Sequence, residues 1–475
     1  MIIPHEVGVP GLKKALILLL FLLPASLILL SCGGYSSPSG GGSGIKYRAF
    51  ITNNVSAGTG LAGVYVVDAA KDVRGAFSPI SAGNTPGMMV LTPNRTLTLV
   101  FSGNGTQFSD NQFTIISNAS EAAAGHVTLP GVTESFVVSP DSSAVYVAVP
   151  TAPVIGQSPG IVEAISLGSG TVTGQVNVPS AHFLSIDNSG NRILAFSDNS
   201  DFVAVITPSN IGIGNAVTLI GGPEIFDHPV AAFFSSDDST AYVVSCGAEC
   251  GGTQAGVQQF NLITNTLVAS VPACVPIPGT NPPQCASPAA GSVALVNGST
   301  MYLAGTPYSG GAPSQACTGQ TTAATTCGLL TIVDLSSMTV VNTAPIIITD
   351  GYHNRIALGA NGQLFIGART CTEIVPPVPP PTGAEVRGCL SIYNTQSVSV
   401  GSIQPGAVTI PPTTGDVTGI QPVATRDVVY VVQGQNVQGG TLYVYDTKTD
   451  AVDAVEEQKL SNLIGDFVDI KTIDF

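Results

Sequence analysis

A short apolar motif returns along almost the whole chain and constrains the fold more than any other feature. It reads RAFITN (48–53), LTLVFSGN (97–104), AVYVAVP (144–150), RILAFSDN (192–199), TAYVVSCG (240–247), TMYLAGTP (300–307), QLFIGART (363–370) and VVYVVQG (428–434). Polar turns such as SPDSS (139–143), SSDDS (235–239) and GANG (359–362) precede most copies. Their Asp, Asn, Ser and Gly accept the backbone geometry of tight connections between antiparallel strands. A second strand follows each copy and ends in another polar turn, as in GIVEAISLGSG (160–170) and TLYVYDTKTD (441–450). A third follows, such as TVTGQVNV (171–178) or TVVNTAPIII (339–348), and a fourth, such as ESFVVSP (134–140), leads into the next unit. Four short antiparallel strands every ~46 to 65 residues are the pattern of a β-propeller blade. One blade cannot bury both of its faces, but a ring of blades can.

The expected fold class is therefore all-β, a propeller of four-stranded antiparallel blades. The repeats count to eight blades, or to seven if the unit around 97–130 is a distorted excursion. The first copy lacks the innermost strand that precedes the others. The segment GDFVDIKTIDF (465–475) is expected to supply it, closing the ring against the first blade and removing an exposed edge. Composition agrees: 54 Gly and 34 Pro in 475 residues supply many turns. Charged residues are only 9 %, against roughly 25 % in ordinary domains, too few for a coiled coil or helical bundle. With Lys+Arg 15 and Asp+Glu 30 the net charge is −15, so no cationic surface for nucleic acid is expected.

The order of a P-D-x-x turn, an apolar Y-V strand, and a strand ending in Asp resembles the YVTN-type β-propeller repeats of bacterial and archaeal surface proteins. SPDSSAVYVAV (139–149) and TLYVYDTKTDAV (441–452) carry the resemblance best, and it spans about residues 47–475. It implies a propeller of the cell envelope and no particular activity. Trp is absent, so the WD signature and the Trp docking motifs of eight-bladed quinoprotein dehydrogenases are both missing.

The N-terminal segment carries an address. Lys13 and Lys14 precede an apolar run from Ala15 to Leu30, shorter than the ~20 residues of a membrane span. Leu29-Leu30-Ser31-Cys32 followed by Gly33-Gly34 resembles a bacterial lipobox. That implies a signal peptide over 1–31, lipidation of Cys32, a Gly/Ser tether to residue 46 and a propeller domain over 47–475. The chain is then exported and membrane-anchored through its lipid, with the outer membrane favoured because no Asp follows the cysteine. An ordinary cleaved signal peptide or an uncleaved anchor is the alternative.

Without Cys32, eight of the 9 cysteines remain, and they fall as sequence neighbours. In an oxidising compartment the expected pairs are Cys246–Cys250, Cys274–Cys285, Cys317–Cys327 and Cys371–Cys389, each bracketing a loop rich in Gly, Pro or Thr. The Pro run at 375–383 then reads as a stiff loop inside the last staple. Cys246 and Cys250 have a metal-knuckle spacing, but no second knuckle accompanies them. The insertions lie between the second and third strands of units five to seven. They should decorate one face, together with the starts of the innermost strands and the mouth of the central channel.

Glu134, His182, Asp227, His228, Asp350, His353, Asp416 and Asp466 are expected near that mouth. Such a ring could hold Ca²⁺ through oxygen ligands or offer a general base. Equally, these residues could cap strands and join neighbouring blades. No other cofactor is indicated: the chain has no nucleophile elbow, no P-loop and no H-E-x-x-H motif. The leading functional expectation is a lipid-anchored envelope propeller that binds a protein or glycan or scaffolds an assembly. A lactonase-like hydrolase with an Asp/His site at the channel mouth, and a structural surface-layer protein, are the alternatives.

Overall fold

The computed structural model describes residues 42–54, 62–75, 78–103, 110–280, 284–287, 289–307, 327–371, 388–396, 406–411, 415–423, 425–434, 440–460, 463 and 465–474. The expected signal peptide, Cys32 and most of the expected tether lie outside the described residues.

Residues 43–475 fold as one unit of eight β-sheets in a ring. Blade 1 comprises Val73–Arg74, Gly63–Asp68, Arg48–Asn53 and, innermost, Phe467–Thr472. Blades 2 to 8 follow in chain order. Their innermost strands are Pro86–Leu91, Ser135–Val138, Ala181–Ile186, Pro229–Phe234, Val293–Asn297, Tyr352–Leu358 and Asp416–Val423. Phe467–Thr472 pairs antiparallel with Arg48–Asn53, setting Ile470 opposite Ile51, so the ring closes as expected. The unit around 97–130 is a regular blade with strands Leu97–Ser102, Gln112–Ser117 and Ala122–Thr128, which fixes the count at eight.

The doubled apolar pattern of the repeat has a direct physical cause. Every blade is sandwiched between two others, so its central strands bury both faces, unlike a half-solvated sheet. In Ala144–Val149, Val145, Val147 and Val149 pack toward blade 2, whereas Tyr146 and Ala148 pack toward blade 4. The buried apolar residues accordingly divide into eight clusters, one at each junction between blades. Outermost strands such as Thr171–Asn177 are largely exposed.

Two turns repeat with the blades. Between the first and second strands, Ser142, Asp238 and Arg95 take φ of 62°, 57° and 58°. In SPDSS, Ser139 Oγ and the Ser143 amide both donate to Asp141, which fixes the turn. The left-handed residue then ties blades together: Ser142 Oγ accepts the Asn94 amide, and Asp238 accepts the Asn188 and Ser189 amides.

Two local departures from the sequence reading have simple causes. The third-strand run at 339–348 is split into Thr339–Val340 and Ile346–Ile348. Asn342 Oδ1 takes the amide of Ile332 at 2.9 Å, and Pro345 has no N–H to offer the ladder. A helix, Ala454–Leu460, follows the two-residue outer strand of blade 8. Asp453 caps it by accepting the amides of Val455 and Glu456, and Leu460 buries itself at the junction of blades 8 and 1.

Among the described residues three disulfides have both cysteines in place: Cys246–Cys250, Cys274–Cys285 and Cys371–Cys389. Cys327 is also disulfide-bonded, and its expected partner Cys317 lies outside the described residues. These bonds place the chain in an oxidising, extracytoplasmic compartment. Among the described residues no helix is long and apolar enough to cross a membrane. The stapled connections join second to third strands in blades 5 and 7, or the outer strand of blade 5 to the inner strand of blade 6. In antiparallel blades both kinds of connection emerge on one face, the face on which the innermost strands begin.

Candidate functional site

The starts of the innermost strands surround a central cavity of about 310 Å³, lined among others by Glu134, Phe183, Val230, Tyr352, Arg355 and Arg369. A second cavity of about 260 Å³ shares Phe183, Val230 and Tyr352 with it and opens toward His182, Asp198 and His228. Several innermost strands carry a β-bulge near their start. The extra residue is His182 in blade 4, Val230 in blade 5, Asn354 in blade 7 and Thr418 in blade 8. Bulges re-aim side chains, and His182, Val230 and Asn354 all line one of the two cavities.

Two of the expected residues meet directly. His182 Nε2 lies 3.4 Å from Glu134 Oε2, and its Nδ1 lies 2.7 Å from Asp198 Oδ1. Burial works against the imidazolium, but the hydrogen bonds to both carboxylates outweigh it and raise the His182 pKa above its ordinary value. The hydrogen bond to His182 holds the Glu134 carboxyl below the usual range, burial opposes it, and the charges of Arg369 and Arg355 reinforce it. Asp198, at the end of the second strand of blade 4, completes this cluster.

Asp227 and His228 form a second cluster with Asp201. His228 Nδ1 is 3.1 Å from Asp227 and 3.4 Å from Asp201. The ligand atoms of these three lie within 4.8 Å of one another, the one group of its kind among the described residues. An imidazole with two carboxylates suits a transition ion better than Ca²⁺, which takes oxygen ligands. Their hydrogen bonds, however, organise the stapled loop. Asp227 Oδ2 accepts the Thr253 and Gln254 amides and the Thr253 hydroxyl, and the Asp201 carboxylate accepts the His228 amide. The His228 carbonyl accepts the amide of Cys246, the first cysteine of the staple.

The remaining expected residues do not join these two clusters, though His353 lines the central cavity. Asp416 accepts the amide of Thr370 from blade 7, at 2.7 Å. Asp466 accepts the Asn54 amide through its carbonyl, beside the closing strand. Asp350 is buried. His353 is fully buried, and both ring nitrogens lack a hydrogen-bond partner among the described residues. Its ring lies against Gly328 of blade 6, where a Cβ would come within 2.8 Å of His353 Cε1. Burial pushes its pKa down to about 4, so the ring is neutral at physiological pH.

Four further residues enter the site. Tyr352 stands between the two cavities. Burial, with the charges of Glu249 and Glu134, raises its pKa. Glu249, inside the Cys246–Cys250 staple, accepts the Thr306 amide at 3.0 Å, and burial pushes its carboxyl up to about 7. Arg355 donates to the carbonyls of Thr418 and Asn354 at 2.6 and 3.0 Å. Arg369 ends the second strand of blade 7, paired with Tyr352 in the ladder. A scan restricted to the starts of innermost strands misses Arg369, Glu249, Asp198 and Asp201. They sit at or beyond the ends of second strands, which reach the same face.

No family model matches this chain, and no curated protein matches it in sequence. Solved structures do. Dihydro-heme d1 dehydrogenase NirN is similar with a TM-score of 0.54 at 12 % identity, over 90 % of this chain and 75 % of that one. Hydrazine synthase of Kuenenia stuttgartiensis is similar with a TM-score of 0.51 at 13 % identity, over 75 % of this chain and 95 % of that one. At such identities the likeness extends to the fold alone, and what this chain is similar to is a ring of β-sheets shared by proteins of unrelated chemistry.

Proposed function

We propose that this chain is a YVTN-type propeller of the bacterial envelope, anchored through a lipid on Cys32, that binds an envelope protein or glycan at its stapled face. One observation carries the reading: the disulfide-bonded connections emerge around the same face as the channel mouth. Insertions grouped on one face of a repeat ring commonly form its binding surface. Cross-links within those loops reduce the ordering entropy that a partner would otherwise have to overcome. The lipobox-like segment and the Gly/Ser stretch that follows it support tethering of the propeller to a membrane.

Proximity labelling from the lipidated protein in intact cells tests the reading. The expected result is reproducible enrichment of one envelope component, lost when residues 372–387 are replaced by a short Gly/Ser bridge. Labelling no different from that of an unrelated domain on the same lipid anchor refutes it. Cys32→Ala should move the protein from the membrane to the soluble fraction.

A further inference from the structure

Seven arginines are described, and six of them hold a carboxylate, a carbonyl or an aromatic ring, as Arg48, Arg95, Arg192 and Arg74 illustrate. Arg369 is different. Its Nε is buried without a hydrogen-bond partner among the described residues. Arg355, on the adjoining strand, lines the same cavity and reaches only backbone carbonyls. The nearest carboxylates are already engaged: Glu134 with His182, and Asp469 with the Met89 amide and Lys471. In a chain with net charge −15, two guanidiniums therefore face one cavity with no salt bridge to a carboxylate among the described residues, although Glu134 and Asp469 act on Arg355 from a distance.

The same cavity holds an orphan of the opposite kind. Asn354 Oδ1 is buried, lines the channel and has no donor among the described residues. Native proteins rarely leave buried polar atoms unpaired, and those that persist usually meet something outside the chain. An arginine fork calls for an oxyanion, which it binds with two parallel hydrogen bonds. An orphaned amide oxygen calls for a hydroxyl. A ligand that satisfies both carries a carboxylate and a hydroxyl in one small molecule. At about 310 Å³ the cavity is at the lower end of ligand pockets, roughly 300–1,000 Å³. Phe183, stacked on His182, and Tyr352 add aromatic lining suited to the C–H surface of a sugar.

We propose that the central channel is a binding site for a small hydroxylated carboxylate of the sugar-acid kind, with Arg355 and Arg369 holding the carboxylate and Asn354 Oδ1 accepting a hydroxyl. The site deepens the binding reading above and rests on it only for its biological setting.

Isothermal titration calorimetry on the full chain in detergent tests it, with D-glucuronate, D-glucose, acetate and inorganic phosphate as probes. D-Glucuronate should bind at least about tenfold more tightly than acetate or glucose, each of which satisfies only one of the two orphans. Arg369→Gln should weaken D-glucuronate by at least about tenfold, and Arg369→Lys by less. Because no side-chain hydrogen bond of Arg369 is seen among the described residues, Arg369→Gln should keep or raise the thermal midpoint, which separates loss of the site from loss of the fold. Arg192→Gln, at a turn on the opposite face, should leave binding unchanged. Equal binding to the wild type and Arg369→Gln, absence of binding at millimolar D-glucuronate, or tighter binding of phosphate overturns the assignment. Enrichment of the same envelope component by wild type and Arg369→Gln in cells would sink this site and leave the binding face standing. D-Glucuronate binding with no cellular enrichment would do the reverse.

Discussion

Arg426 Nη1 and Nη2 each lie 2.6 Å from the carboxylate of Asp72, and this fork joins the last blade to the first. The hydroxyl of Tyr430 donates to the same carboxylate. The relationship recurs around the ring. Arg48 reaches Glu121 of blade 2 at 3.0 Å, and Asn394 reaches Asp450 of blade 8 at 2.8 Å. Each acceptor is the last residue of a turn between third and fourth strands, and each is left-handed, with φ of 53°, 51° and 53° for Asp72, Glu121 and Asp450. That backbone state turns the side chain back toward the preceding blade. The turn residue thus sets both the hairpin and the junction.

Asp72 is fully buried as a side chain, so its removal strands a guanidinium and a phenol at the ring closure. Asp72→Ala should lower stability by about 3–5 kcal/mol, the usual result of breaking a buried pair from one side. Urea unfolding measures it, and the double variant with Arg426→Ala should lose less than the sum of the two single losses. The pH dependence has a definite sign. Burial opposes the Asp72 charge, and the hydrogen bonds from Arg426 and Tyr430 outweigh it, so its pKa is lowered. The contribution is present above the unfolded value, ~4, and disappears as pH falls through the lower folded value. Asp72→Asn should flatten that acid limb of the stability curve.

Glu249 should act with the opposite sign. Burial raises its carboxyl to about 7, against the Thr306 and Ser292 hydrogen bonds. The folded chain then holds this proton more tightly than the unfolded one. Stability is full below the ordinary carboxyl value and falls as pH rises toward 7, by up to roughly 3 kcal/mol from this group. Glu249→Gln should remove that slope between pH 5 and 8 and be the more stable protein at the alkaline end. Thermal midpoints across this window decide it, and parallel curves for wild type and variant would contradict it.

The fold was legible because its signal is redundant. Eight copies of one strand pair, each apolar on both faces, leave few architectures besides a closed ring, and any one degenerate unit is corrected by the other seven. The closing strand was legible for a related reason: the first copy had no inner neighbour, and Phe467–Thr472 had no other partner. The channel was not legible to the same degree. Glu134 and His182 meet because a bulge turns His182 toward blade 3, and no periodicity announces a bulge. Arg355 and Arg369 come together through the ladder pairing within blade 7, and in sequence Arg369 is only the end of a strand. Asp416 looks like a site residue in sequence because blade junctions use the same residue types as polar sites.

The staples should differ in weight according to the loops they close. Cys371–Cys389 spans 18 residues and Cys246–Cys250 spans 4. In the chain-entropy account the longer loop contributes about 3 kcal/mol and the shorter about 2 kcal/mol. The paired variants Cys371→Ser/Cys389→Ser and Cys246→Ser/Cys250→Ser should fall in that order in urea midpoint. The shorter staple has a second role, since its loop is held by Asp227 and His228 at the channel mouth. Its loss should therefore raise amide exchange at residues 251–255 more than the global stability change explains. Non-reducing peptide mapping should also recover Cys327 linked to Cys317.

Deletion of residues 466–475 should be more damaging than any of these substitutions. Phe467–Thr472 is the innermost strand of blade 1, and Phe467 and Ile470 are fully buried at the junction with blade 8. Asp469 also ties the strand to the next blade, accepting the Met89 amide of blade 2 at 2.9 Å, as Ser135 and Ser185 do for Leu184 and Ala232. Arg95 of blade 2 donates to the Thr472 and Ile473 carbonyls. Without this strand Arg48–Asn53 becomes an open edge carrying Ala49, Phe50 and Ile51, which is a template for pairing with another chain. The truncated protein should aggregate on expression. Supplied in trans, a peptide of residues 463–475 should restore a soluble monomer, detected by sedimentation, because the missing strand pairs along its whole length with one edge. An Asp469→Ala peptide should restore it less well. A truncated chain that stays monomeric and keeps the wild-type thermal midpoint would show that the ring does not depend on this closure.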